Sequence, residues 1–375
     1  MTGRRYSRLR PGRRAVLIAA ALAVWSTWLN GPAGWEVSPA QGACVMERER
    51  ADQPAVFLRH LGPDCTGQER EAQAVRADEV FAALKQGKGV DIAGAMIVGD
   101  LFFDALPATK LEAMPDLPPA AREALRARQI AEGRRLAGPF SVTRSVIRGA
   151  IGTRLKDGAV IVQGPVTVTG TTFERTADFS RTVFLGPVDG SGAVFLSQAL
   201  FVQGWFAKPV RFEKTAFGPH SRFHRSVFSE PVSFLQSGFN GLSEFLEVTF
   251  EKEASFSRVY FKMGTGFSGS RFGGILDFSE AVFEREAYFT FTVFDQDAYF
   301  RRAVFRGTAD FSDAHFKGID DFSKVMFEAQ PNFSRVTVSA TRRLPGGLQD
   351  PRIMYGIAAV LAVFTLGLLW SMRKS

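Results

Sequence analysis

Ala309-Asp310-Phe311-Ser312-Asp313-Ala314-His315-Phe316 is one unit of a pattern that fills almost half the chain. Its two phenylalanines stand five residues apart, and the next, Phe322, follows after six. Traced in both directions, the alternation gives Phe173, Phe179, Phe184, Phe195, Phe201, Phe206, Phe212, Phe217, Phe223, Phe228, Phe234, Phe239, Phe245, Phe250 and Phe256. It continues through Phe261, Phe267, Phe272, Phe278, Phe283, Phe289, Phe294, Phe300, Phe305, Phe311, Phe316, Phe322, Phe327 and Phe333. Gly190 occupies the single place where the ladder lacks its phenylalanine. An eleven-residue period sustained over about 160 residues marks a solenoid, in which each unit buries its apolar side only against its neighbours.

The period excludes the two simpler elements. At roughly 100° per residue, steps of five and six scatter the phenylalanines around a helix axis instead of gathering them into one stripe. A straight strand sends residue i+5 to the face opposite residue i. A coil that bends once per unit brings every phenylalanine to a common axis. A small or β-branched residue precedes most of them by two, as at Ala177, Ala199, Thr215, Ala254, Ala298 and Ala309. Large and small residues alternating along one interior fill a narrow tube without voids. The ladder is therefore expected to be core and not a ligand channel.

The text around Ala177-Asp178-Phe179-Ser180 and Ala309-Asp310-Phe311-Ser312 resembles the pentapeptide-repeat family, in a Phe-rich variant whose units of five and six residues alternate. The resemblance is to a membrane-anchored bacterial member. It implies a mainly β fold, a right-handed quadrilateral parallel β-helix with four units per coil and the phenylalanine and the small residue before it both pointing inward. Seven to eight such coils at ~4.8 Å each would make a rod roughly 35 Å long for this section.

The net charge of +8 invites a nucleic-acid reading until it is located. Arg4, Arg5, Arg8, Arg10, Arg13 and Arg14 open the chain without an acid among them, and Arg373 and Lys374 close it. Between 171 and 343 there are 20 Lys and Arg and 20 Asp and Glu. The solenoid is thus neither a basic phosphate-binding surface nor an acidic DNA mimic, and no nucleic-acid partner is expected.

In order, residues 1–40 read as an export segment, a cationic start followed by the apolar run Ala15–Leu29. Cleavage as a signal peptide and retention as an N-terminal anchor both stay open. Residues 41–87 hold Cys44 and Cys65, the only cysteines. In an oxidising compartment they read as a disulfide closing a loop of about 20 residues, the alternative being two unpaired thiols. Thr66-Gly67-Gln68-Glu69 reads as a capping box that opens a helix, expected to lie across the open end of the first coil, which begins near Val90.

Residues 88–340 form the β-helix, with regular repeats over 171–338 and an insertion at 107–139 that is Pro-rich and then helical from Ala120 to Leu136. That insertion is the first candidate for partner contact. A linker, 341–352, leads to 353–372, an uncharged apolar run long enough to span a bilayer, and to a tail, 373–375, whose Arg373 and Lys374 favour the cytoplasm. The expected topology places both ends inside and the rod outside.

No catalytic, metal or cofactor constellation is expected. His60, His220, His224 and His315 are scattered, with no Glu or Cys at a ligand spacing from the 220/224 pair. Asp320-Asp321 and Glu251/Glu253 read as outer-face carboxylates. Tyr288, Tyr299 and Trp205 stand just before ladder phenylalanines, and eleven residues being half a coil, the two tyrosines face opposite sides. Phe291, out of phase, reads as an exposed contact. The leading expectation is a non-enzymatic, membrane-tethered extracytoplasmic repeat protein, a rigid scaffold with a protein partner in the envelope. The alternatives are a sensory or ligand-binding ectodomain using 107–139, a polysaccharide-degrading enzyme, and the topoisomerase-protecting DNA mimic known in the family.

Overall fold

The computed structural model describes residues 44–49, 55–155 and 157–339, all within one unit, Cys44–Ser375. Residues 1–40, expected to direct export, the expected linker 341–352, the apolar run 353–372 and the tail 373–375 lie outside the described residues. Among the described residues, no helix is long and apolar enough to cross a membrane.

Short strands stack into four sheets of 12, 11, 9 and 11 strands, and successive strands pass from one sheet to the next in rotation. Each sheet is one face of a four-sided solenoid. Val188–Asp189, Val194–Phe195, Ala199–Leu200 and Trp205–Phe206 are one turn across the first, second, third and fourth faces. Pairing is parallel with a register of 22 residues in the regular part, as in Phe195↔Phe217 and Phe206↔Phe228. Two units of eleven thus make one turn, and residues 22 apart are neighbours along the rod.

The two kinds of step have different geometry. On the second and fourth faces the phenylalanine is the second strand residue and points inward. On the first and third the small residue points inward and the phenylalanine follows the strand. The corner inside each five-residue step carries a left-handed residue every eleven positions, from Gly170 and Arg181 through Gly192 and Gln203 to Lys324 and Arg335. Most of these are not glycine, although the left-handed region costs a residue with a Cβ roughly 1–2 kcal/mol. No residue type marks this corner in the sequence.

Of the ladder phenylalanines, all but Phe179, Phe327 and Phe333 are buried, and these three are half-buried. Rings one turn apart stack nearly parallel, with centroids 4.5 Å apart and 1° between planes for Phe206 and Phe228 and 4.8 Å and 7° for Phe245 and Phe267. Rings on adjoining faces meet edge to face, as Phe245 and Phe256 do at 5.4 Å and 90°. The edge-to-face contacts are an arrangement the ring quadrupole favours, and the parallel stacks follow from the in-register pairing of turns. At Gly190 the missing ring is replaced from above. A Cβ built there would stand 2.7 Å from Cδ1 and Cε1 of Phe212, whose ring leans into the vacancy.

The N-terminal part departs from expectation. Pairing starts before residue 88, with Val56–His60 parallel to Gly89–Ala93 and Val75–Arg76 parallel to Ile97–Val98. The expected single helix is two, α1 (Gly67–Ala72) and α2 (Ala77–Lys85), divided by that second strand. Thr66 and Glu69 form the reciprocal capping box at α1, the Thr66 amide donating to Glu69 at 2.7 Å. α2 buries Ala77, Val80, Ala83 and Leu84 in the same core as Ile92 and Ile97. Cys44 and Cys65 are joined by a disulfide.

The insertion also differs. α3 spans Pro119–Ala127, and Glu132–Leu136 is not helix but a strand of the fourth face, parallel to Ala159–Val162. The insertion then returns to the rod, where Leu111, Met114, Leu117, Ala121, Leu125 and Ile130 form a second core with Ile161, Val183 and Trp205 on the outside of the fourth face.

Candidate functional site

Sequence spacing separates His220, Arg222, His224 and Glu244, but the 22-residue register brings them together on the third face. The strands His220–Arg222 and Leu242–Glu244 pair so that Arg222 lies beside Glu244. Alternation turns His220, Arg222 and Glu244 outward while Ser221 and Ser243 point in and are buried.

All three basic side chains converge on one oxygen of Glu244. Arg222 Nε donates to Oε2 at 2.7 Å, His220 Nε2 lies 2.8 Å from it, and His224 Nε2 lies 3.5 Å from it. Arg222 Nε also lies 3.0 Å from His220 Nε2, so that ring either donates to the carboxylate or accepts from the guanidinium, according to its tautomer. Burial alone would raise the Glu244 carboxyl, but the hydrogen bonds from His220 and Arg222 outweigh it and hold the group below its ordinary range. Burial pushes the His224 imidazole down, Glu244 opposes this and Arg222 and Arg225 reinforce it. His224 Nε2 is shielded from solvent and has no hydrogen-bond partner.

The sequence places no Glu or Cys at a ligand spacing from the 220/224 pair, but the fold brings Glu244 against both histidines. Glu244 follows His220 by 24 residues, and the period of one turn is the signal that finds it. Among the described residues, no set of three or more His, Cys, Asp or Glu is arranged to hold a metal ion. The cluster is an oriented, ionised carboxylate whose contacts all use Oε2.

The other candidates are placed as follows. Asp320 and Asp321 are not an outward pair. Asp320 takes the inward place held one turn earlier by Ala298, both are buried, and Asp321 is tied to Arg301 and to the Ser323 amide. Glu251 and Glu253 are exposed. His315 Nδ1 meets Thr337 Oγ1, and His60 Nε2 lies 3.2 Å from Asp91. Trp205 is no surface feature, since it lies under the insertion at 9% exposure. Tyr288 is on the third face and Tyr299 on the first, and Tyr299 donates to Asp297 at 3.0 Å beneath the Arg301 guanidinium. Phe291 is 65% exposed at a left-handed corner.

The insertion spends much of its charge on the rod and on itself. Arg128 donates to the corner carbonyls of Gln203 and Arg225, both at 3.1 Å, Arg122 to Met114 O, and Arg134 to Asp104 O, while Arg126 pairs with Glu112. A cleft of about 510 Å³ near the start of the rod is lined by Leu61, Pro63, Arg70, Met96, Arg144 and Val146. Arg70 is already committed there to the carbonyls of Gly62, Pro63, Cys65 and Gly94.

With this geometry in view, residues 256–304, 278–326 and 292–337 match a family profile described as Pentapeptide repeats (9 copies). Nothing among curated proteins or solved structures matches the chain.

Proposed function

We propose, with the pentapeptide-repeat match over 256–337 as premise, that this chain is a non-enzymatic scaffold, tethered to a membrane and carrying its rod on the extracytoplasmic side. The observation that carries the reading is the filled interior. The ladder rings close the axis from Phe173 to Phe322, so the solenoid has no lumen for a substrate and offers only its outer faces.

Those faces are laced with ion pairs one turn apart, such as Arg225–Glu247, Arg258–Glu280 and Arg306–Glu284. Side chains held this way suit a stiff body that displays a fixed surface. α2 shields the start of the core in this reading, as a sheet edge requires if it is not to template pairing with another chain. The Cys44–Cys65 disulfide supports an oxidising compartment. The arginines at 4–14 and the uncharged run 353–372 with Arg373 and Lys374 after it support tethering with both ends inside.

Sidedness tests the proposal. A membrane-impermeant thiol reagent applied to intact cells, with outer-membrane permeability controlled, is expected to label Cys44 and Cys65 only after reduction. Labelling that requires lysis would place the rod in the cytoplasm and end this reading.

A further inference from the structure

The third face changes character for one turn. Along it the outward places carry Leu242, Glu244 and Leu246 in one turn and Glu286, Tyr288 and Thr290 two turns on, but Gly264, Gly266 and Ser268 in the turn between. The corner column does the same, with Glu247, Gly269 and Phe291 in succession. A whole turn of the face thus lacks any outward side chain larger than serine. The result is a trough across the rod whose walls stand two turns, about 10 Å, apart.

Its floor is apolar. Leu246 leans over Gly266, where a Cβ would meet its Cδ2 at 2.9 Å, and Leu242 rests near Gly264 at 3.6 Å. One wall presents Tyr288, 44% exposed, and Phe291. The opposite wall carries Glu244, whose Oε2 is held by Arg222 and His220 of the turn behind it and whose Oε1 has no hydrogen-bond partner among the described residues.

We propose that this trough binds a neutral saccharide chain. An exposed aromatic wall, an apolar floor and a fixed carboxylate oxygen together recognise a ligand with apolar C–H faces and hydroxyl edges. The charge balance selects neutrality. Glu244 is matched by Arg222, and Glu247 by Arg225 at 2.9 Å. Glu286 on the tyrosine wall has no ion-pair partner among the described residues and disfavours an acidic sugar. The inference goes beyond the scaffold reading and does not depend on where the rod resides.

The test is titration of the full chain in detergent with cellohexaose, chitohexaose and maltohexaose, read by calorimetry. At least one hexasaccharide is expected to bind, with affinity lowered tenfold or more by Tyr288→Ala and by Gly266→Val. Valine there displaces the flexible Leu246 side chain and fills the trough, and the backbone accepts it because the conformation is not left-handed and neighbouring turns carry Glu244 and Tyr288 at the same place. Tyr299→Ala, on the opposite face, is expected to leave affinity unchanged, and the melting curves of all three variants establish that they fold. Absence of binding to all three sugars, or binding that survives both trough substitutions in folded protein, overturns the proposal.

Discussion

Gly190→Ala is the most searching test of how the interior is packed. Glycine-to-alanine at an ordinary backbone conformation should stabilise by ~0.4–1 kcal/mol, because the unfolded chain loses freedom, and Gly190 is not among the left-handed glycines. Here the opposite is expected. The new Cβ would stand 2.7 Å from the ring of Phe212, where ordinary contact begins at 3.4 Å, and that ring is held by Phe201 at 5.6 Å, Phe217 at 5.7 Å and Phe234 at 5.6 Å. Forcing one extra carbon into a filled core costs ~1–3 kcal/mol, leaving a net loss of about 1–2 kcal/mol. Phe212→Ala empties the space, so in that background Gly190→Ala should recover its entropic gain, and the double-mutant cycle should give a coupling of about 2 kcal/mol. Urea unfolding followed by circular dichroism supplies the four stabilities, and hydrogen exchange at the amides of 188–212 localises the effect. A Gly190→Ala variant more stable than the parent, or a penalty that persists without the Phe212 ring, would refute the claim that Phe212 fills the missing place.

Two further outcomes follow from the same packing and from the third face. Phe245→Ala should cost ~3–5 kcal/mol, and because turns contact only their neighbours, exchange protection should fall around 223–267 and hold near 316; a uniform loss along the rod would contradict the quasi-linear picture. Stability should fall in acid in two windows. His224 is held below its ordinary 6.5, so below that pH the unfolded chain binds the extra proton first, and Glu244, held below its ordinary 4.5, repeats this lower down. His224→Gln should remove the upper window and keep the lower, as measured by urea midpoints from pH 7.5 to 3.5, and an unchanged upper window would show that another group titrates there.

What the sequence made legible divides along the 22-residue period. The ladder was open to reading because its signal is a residue type: phenylalanine recurring in steps of five and six, a spacing no helix or flat strand can use. The left-handed corners were not, because Arg, Gln, Lys, Glu, Asp, Phe and Gly all occupy them, and the conformation is imposed by stacking against the turns above and below. The insertion shows tertiary context overriding local propensity. Glu132–Leu136 continues a helix-favouring stretch yet pairs with Ala159–Val162, since there it completes the fourth face and delivers Leu136 to the core. The place of Trp205 in the repeat records only outward alternation, and it is the path of the insertion that covers it.

The surface of the third face lies between these cases. Its glycines, tyrosine and glutamate are each plain in the sequence, but a trough is a relation among three turns. When residues 242–247, 264–269 and 286–291 are set one above another, a middle row of small outward residues between two unlike walls can be read without coordinates. In a solenoid, the unit in which a site must be sought is therefore the stack of turns, because side chains that cooperate on a face are separated in the chain by one full period and are adjacent nowhere else.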